Sequence, residues 1–199
     1  MIVDVAVQFI INVLSAMNYI GIFILTAMES MVLPMPTEIL MPLVGFLVTT
    51  GRFELVQAAV IAALGALFGS LISYVIGQKL GRKFILRYGK YLLLDKGHLQ
   101  WTEKWFKEKG EKTVFISRFI PVVKHFISIP AGIGNMNIFR FSLYTVAGAG
   151  IWNLLLIYAG MWLGERWEII HAYSIYLDII ALLVIVSAVV WFYARNHKK

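Results

Sequence analysis

Cysteine is absent from the 199 residues, which excludes disulfides, thiol nucleophiles and cysteine-ligated metals. Charge is scarce as well: 15% of residues are charged against 60% hydrophobic, and the mean hydropathy is +0.78. An ordinary soluble domain carries about 25% charged residues, so the chain reads as an integral membrane protein. Acidic residues are the scarcer sign, 11 against 18 Lys and Arg. The resulting +7 is assigned to the positive-inside bias toward an anionic leaflet and not to nucleic acid. Of the four histidines, His98 and His171 are isolated and no HExxH pair occurs, so neither a metal nor another cofactor is expected. The N-terminal MIVDVAVQF lacks the basic region and cleavage site of a signal peptide, which predicts a retained first span. Proline is rare, and all five copies fall in two segments, 34–42 and 121–130.

What is present is a series of apolar blocks, which argues for one polytopic bundle, a single domain over 1–199. Val5 to Met28 is long enough to cross, since about 20 apolar residues span the hydrocarbon core. Met31 to Thr50 is also apolar, but Pro34, Pro36 and Pro42 predict a broken segment. A clean span follows at about 55–78, with Gly65, Gly69, Ser70, Ser73 and Gly77 forming a small-residue face. That face could pack inside one bundle or between copies, so a homo-oligomer stays open.

From Lys79 to Lys112 the chain carries ten Lys or Arg against four Asp or Glu, as a cytoplasmic loop would. Within it Trp101, Trp105 and Phe106 recur at helical spacing beside Lys104, Lys107 and Lys109, which predicts an amphipathic helix in the headgroup plane. Thr113 to Met136 is apolar yet holds Arg118, Lys124 and His125, and Pro121 and Pro130 break it. Two more spans are expected at 139–163 and 175–194, before a basic tail.

With loop and tail cytoplasmic, four crossings put both termini in the cytoplasm. The segments 31–50 and 113–136 then dip in as re-entrant hairpins from opposite faces, the arrangement of an inverted-repeat transporter. Spacing supports the repeat: Gly65 and Gly148, Ala66 and Ala149, Gly77 and Gly160, Gly81 and Gly164 are all 83 positions apart. The expected fold is therefore an all-α polytopic bundle with two opposed hairpins.

A charge at the bilayer centre costs about 2.5–3.5 kcal/mol or more, so intramembrane ionisable residues mark function by default. Glu29 and Glu38 flank the Pro34, Pro36 break; Arg118 and Lys124 flank Pro121. One reading is a buried ion pair that only locks the hairpins together. The other has the cations bind an anionic group while a carboxylate takes a proton or competes for the same cation. Arg118 is the cation expected in an ion pair and Lys124 the one expected to take the ligand. His125 could relay protons or sit neutral against a carbonyl. Ser117, Arg118 and His125 also bring lipid-phosphate phosphatases to mind, but the Arg–His gap is one residue too long and Ile129 stands where that pattern needs Asp. No enzymatic activity is expected.

Glu29 and Glu38 around the prolines, GSLISYVIGQKLG with Gly69, Tyr74, Gly77 and Gly81, and SRFIPVVKHFISIPAG resemble the DedA family, which shares its VTT domain with SNARE-associated Golgi proteins. The resemblance covers nearly the whole chain. It implies movement of lipids across the bilayer, in bacteria including undecaprenyl phosphate and phosphatidylethanolamine, in some members with proton coupling. The family's acidic pair falls on Glu29 and Glu38 and its basic pair on Arg118 and Lys124, where Lys124 replaces the commoner Arg. Trp152 fits the family pattern too, with a packing role expected. The expected function is a cytoplasmic-membrane transporter of a phosphate-bearing lipid. The alternative is a proton-coupled carrier of small soluble cations or drugs.

Overall fold

Long apolar runs fold as helices in lipid because every backbone N–H and C=O must be satisfied within the segment. The computed structural model describes residues 2–31, 37–81, 96–121 and 123–164, without the side chains of residues 2–7, 37, 38, 96 and 98. Among the described residues every regular element is helical: α1 (Ile2–Glu29), α2 (Thr37–Thr49), α3 (Leu55–Ile76) continued by a π-helical turn at Gly77–Gly81, α4 (Lys96–Ser117), α5 (Val123–Phe126), α6 (Ser128–Ile133) and α7 (Ile138–Leu163). Gln8–Glu29, Leu55–Gly81 and Ile138–Leu163 are long and apolar enough to cross a membrane. The expected span at 175–194, residues 82–95 of the basic loop, Pro34, Pro36 and the Glu38 side chain lie outside the described residues. Met1–Trp162 forms one unit and Leu163–Lys199 a second, and the packing below belongs to the first.

The expected straight crossing at Val5–Met28 is bent. Asn18 adopts φ 50, ψ −127 inside α1, and the chain folds back there. A methyl on Gly21 would stand 3.0 Å from the carbonyl oxygen of Val13, although eight residues of straight helix span about 12 Å. Arg52 closes the break by donating from Nη2 to the carbonyls of Leu14 (3.3 Å) and Ser15 (3.2 Å), which the bend deprives of helical donors. After the bend, Tyr19 lies beside Glu54, Gly65 packs on Phe23 and Thr26, Gly69 on Ala27, and Ser73 donates to the Ser30 carbonyl at 3.1 Å. Numbers rise together on both helices, so the second half of α1 runs in the same direction as α3. A straight crossing followed by a hairpin would have set them antiparallel.

Prolines act more locally than expected. Pro42 sits inside α2 without ending it, and Pro130 falls in the first turn of α6, where its missing N–H costs least. Pro121 does end a helix: it offers no N–H to the Ser117 carbonyl, and Ile120 N takes that carbonyl instead at 3.2 Å in a tightened turn. The boundary expected at residue 112 is also absent, since α4 runs unbroken from the basic loop into the Arg118 turn. Phe106 and Val114 on α4 are buried with Tyr74, Met136 and Phe141, while Trp101 stays exposed and stacks on Trp105 with ring centroids 5.3 Å apart.

The close helix contacts come in matched sets. A Cβ on Gly132 would collide with the Tyr74 carbonyl and stand 2.9 Å from Gln78 N; one on Gly45 would collide with the Ile157 carbonyl and stand 2.9 Å from Met161 N. Likewise Gly77 abuts the Ile129 carbonyl and Gly160 the Pro42 carbonyl. Within these sets Tyr74 and Ile157, Gly77 and Gly160, and Gln78 and Met161 are 83 positions apart, while Gly45 and Gly132, and Pro42 and Ile129, are 87 apart. Overpacking costs typically about 1–3 kcal/mol and more against backbone. Gly160→Ala and Gly77→Ala should therefore each lower the thermal unfolding midpoint in detergent. Gly150→Ala, whose new methyl meets only the Ala63 Cβ at 3.8 Å, should leave it unchanged.

Outside the spans, Glu111 on α4 accepts from the Tyr144 hydroxyl at 2.9 Å and pairs with Arg140 at 2.5 Å. The Tyr144 hydrogen bond, then Arg140, hold its carboxyl below the usual carboxylate range. Its contribution is thus present above the unfolded carboxylate pKa and lost as pH falls through the lower folded value. Glu111→Gln should lower the unfolding midpoint at neutral pH and make no difference at a pH where both states are protonated.

Candidate functional site

Arg118 opens the turn that Pro121 imposes, and its side chain points into the protein, 3% exposed. Gly148 on α7 makes room for its stem: a Cβ there would stand 2.9 Å from Arg118 Cγ. Nη1 donates to Ser70 Oγ (3.1 Å) and the Lys124 carbonyl (3.3 Å), and Nη2 to Ser128 Oγ (3.3 Å) and Thr145 Oγ1 (3.0 Å). Four of the five guanidinium N–H groups are thereby engaged by neutral oxygens. The Phe141 ring lies 5.9 Å from the guanidinium carbon.

Lys124, on the short helix α5 after the turn, is buried too, and its Nζ meets Glu29 Oε1 at 2.8 Å. This reverses the expected division, in which Arg118 was the paired cation. The physical reason is supply: hydroxyls from α3, α6 and α7 and one carbonyl already solvate the guanidinium, which leaves the Glu29 carboxylate to the ammonium. His125 Nδ1 lies 3.0 Å from the Glu29 carbonyl oxygen. A carbonyl only accepts, so Nδ1 carries the proton in this contact. Glu29 is thus held at its backbone by one residue of α5 and at its carboxylate by the next.

These groups border a partly open pocket of about 20 Å³ lined by Glu29, Ser30, Ala66, Arg118, Lys124, His125, Ala149, Trp152 and Asn153. That volume suits a single water. Of the expected site residues, the structure brings Glu29, Arg118, Lys124 and His125 together; Pro121 shapes the turn and Pro130 stands one helix further on. Ser70, Ser128, Thr145 and Asn153 were not singled out by sequence as ligands. Their signal was faint, because hydroxyls and amides occur in many membrane helices as packing groups. Among the described residues no three His, Asp or Glu side chains meet as a metal set.

Helices long and apolar enough to cross a membrane, with a charged, water-sized pocket among them, define a membrane protein with a polar site between its helices. The chain belongs to the VTT-domain (DedA) family, whose VTT domain matches residues 35–161. It is 37% identical over 180 residues to undecaprenyl phosphate transporter A of Bacillus subtilis (strain 168), covering 88% of this chain and 89% of that protein. It is 33% identical over 196 residues to undecaprenyl phosphate transporter A of Staphylococcus aureus, covering 94% and 95%. An alkaline phosphatase-like protein of Lactococcus lactis subsp. lactis is 32% identical over 198 residues, covering 95% and 92%. No solved structure matches.

Removing one partner of a buried ion pair costs about 3–5 kcal/mol, whereas replacing both with apolar groups of similar volume is often neutral. Lys124→Met and Glu29→Leu should each lower the thermal midpoint of the purified protein. The double substitution should cost less than the sum of the two single losses, the coupling expected of residues in direct contact.

Proposed function

We propose that this protein carries a phosphate-bearing lipid, of the undecaprenyl phosphate or phospholipid class, across the cytoplasmic membrane. The observation that carries the reading is the Lys124–Glu29 pair beside Arg118 at one pocket. A buried ammonium and a buried guanidinium lining the same pocket suit an anionic headgroup. The names of the two transporter relatives point the same way.

In this reading the two proline-containing segments are re-entrant hairpins of an inverted repeat. Support comes from the matched contacts at spacings of 83 and 87, and from the cavity itself, where Ala66 and Ala149, 83 positions apart, both line the wall. The bend at Asn18 extends the first hairpin: one arm is the part of α1 after Asn18, the other is α2, with Pro34 and Pro36 between them. The opposing hairpin rises along α4, turns at Arg118 and Pro121, and returns through α5 and α6. The site then lies where two oppositely inserted hairpins meet, as in other inverted-repeat transporters. The basic loop and the C-terminal tail face the cytoplasm.

Transport proceeds by competition. Arg118 is anchored by four hydrogen bonds and offers a fixed positive field, whereas Lys124 is a point charge on a flexible stem that can exchange one anion for another. A phosphate entering from one hairpin face takes Lys124 from Glu29, and Glu29 accepts a proton as its counter-charge leaves, which couples the step to the proton gradient. Departure of the headgroup on the other face lets the carboxylate ionise and re-form the pair. The prenyl or acyl tail stays in lipid throughout.

The test is lipid translocation in proteoliposomes. Lys124→Gln should reduce undecaprenyl phosphate movement at least about tenfold, the loss of one charge-assisted contact. Glu29→Gln should abolish its dependence on an imposed pH gradient. Translocation by Lys124→Gln at the unmutated rate would exclude Lys124 as a ligand.

A further inference from the structure

Two residues that line this pocket carry a buried donor with no partner among the described residues: Arg118 at Nε and Trp152 at Nε1. Each nitrogen carries one N–H and neither can accept. Buried donors left unpaired are rare in native proteins and call for a water, an ion or a ligand to complete them. The aromatic contact at 152 does not require an indole. The Trp152 ring meets Phe119 edge to face with centroids 6.1 Å apart, a contact that phenylalanine would make equally well.

The spacing between the halves sharpens the point. Gly69 stands 83 positions before Trp152 and lets α3 close onto the Ala27 carbonyl. Ser70 stands 83 before Asn153 and accepts from Arg118. Where the first half brings two helices into contact, the second half inserts a large ring with a single donor beside a buried cation.

We propose that Trp152 is a ligand of the transported group: its indole N–H and the Nε–H of Arg118 hold the oxygens of a phosphate monoester. The inference rests on the reading of the protein as a phosphate-lipid transporter and adds a neutral residue to its site. Two donors without acceptor capacity require a partner rich in lone pairs, and a phosphate oxyanion supplies these without bringing hydrogens of its own. An uncharged donor also suits a carrier. It adds directional binding without a third cation that would hold the dianion too tightly to release.

The experiment uses the full chain in lipid nanodiscs with tryptophan labelled at the indole nitrogen. The Trp152 resonance is identified by its loss in Trp152→Phe or, if that variant does not fold, by elimination with phenylalanine variants of the other five tryptophans. Undecaprenyl phosphate, undecaprenol and inorganic phosphate are titrated separately. The Trp152 resonance should move with undecaprenyl phosphate and not with undecaprenol, and Trp152→Phe should bind the phosphate lipid about tenfold more weakly at an unchanged unfolding midpoint. Movement with inorganic phosphate as well would support the same contact and show that the headgroup alone suffices. A resonance that neither phosphate moves, or a Trp152→Phe affinity equal to that of the parent protein, would overturn the proposal whatever the vesicles transport. A resonance that shifts in a protein that moves no lipid would uphold the site and sink the transport reading instead.

Discussion

The structure depends on how one permanent charge is kept inside a membrane protein. A guanidinium cannot shed its proton to escape burial, so its desolvation, several kcal/mol even after relaxation, must be offset by dipoles. Ser70, Lys124, Ser128 and Thr145 provide them from α3, α5, α6 and α7. One side chain therefore fixes four helices relative to each other. Gly148 is a glycine because the stem of that side chain occupies the space a methyl would need. The backbone is arranged to the same end: the Pro121 turn stops α4 at Ser117 and starts the next residue inward.

The second cation is held differently, by a charge and not by dipoles. Lys124 meets a carboxylate carried by the other half of the fold, on a helix that is itself gripped through the Glu29 carbonyl by His125. Hydroxyl dipoles that solvate an arginine are parts of rigid helices and leave with difficulty. The ion pair to Glu29 instead joins two flexible side chains from different helices. The architecture thus places two buried cations, held in different ways, at the same small pocket.

Much of this was legible in the sequence, and what was missed has physical causes. The apolar runs that became α3 and α7 could hardly be anything other than helices, and Arg118 and Lys124 stood out because charge is expensive at that depth. Pro121 announced its turn. Asn18 did not announce its bend, since neither proline nor glycine marks it and the carbonyls it exposes are capped by Arg52, 37 and 38 residues further on. That bend reversed the expected direction of α1 against α3. Complementary signs showed that carboxylates and cations would meet, but not which cation met which carboxylate. That choice was decided by hydroxyls on three other helices, residues whose abundance in membrane proteins hides the few that matter. Pro42 was overread for the opposite reason: a proline breaks a helix only where the missing donor was needed.

The small size of the cavity has an electrical consequence. A membrane that stores energy as a potential gives each elementary charge about 2.3 kcal/mol per 100 mV for crossing, so any continuous file of water through a protein is a short circuit. Here the polar centre has room for about one water. Arg118, a permanent buried cation, repels metal cations at that point. The pocket beside it is too small to hold such a file of water by itself.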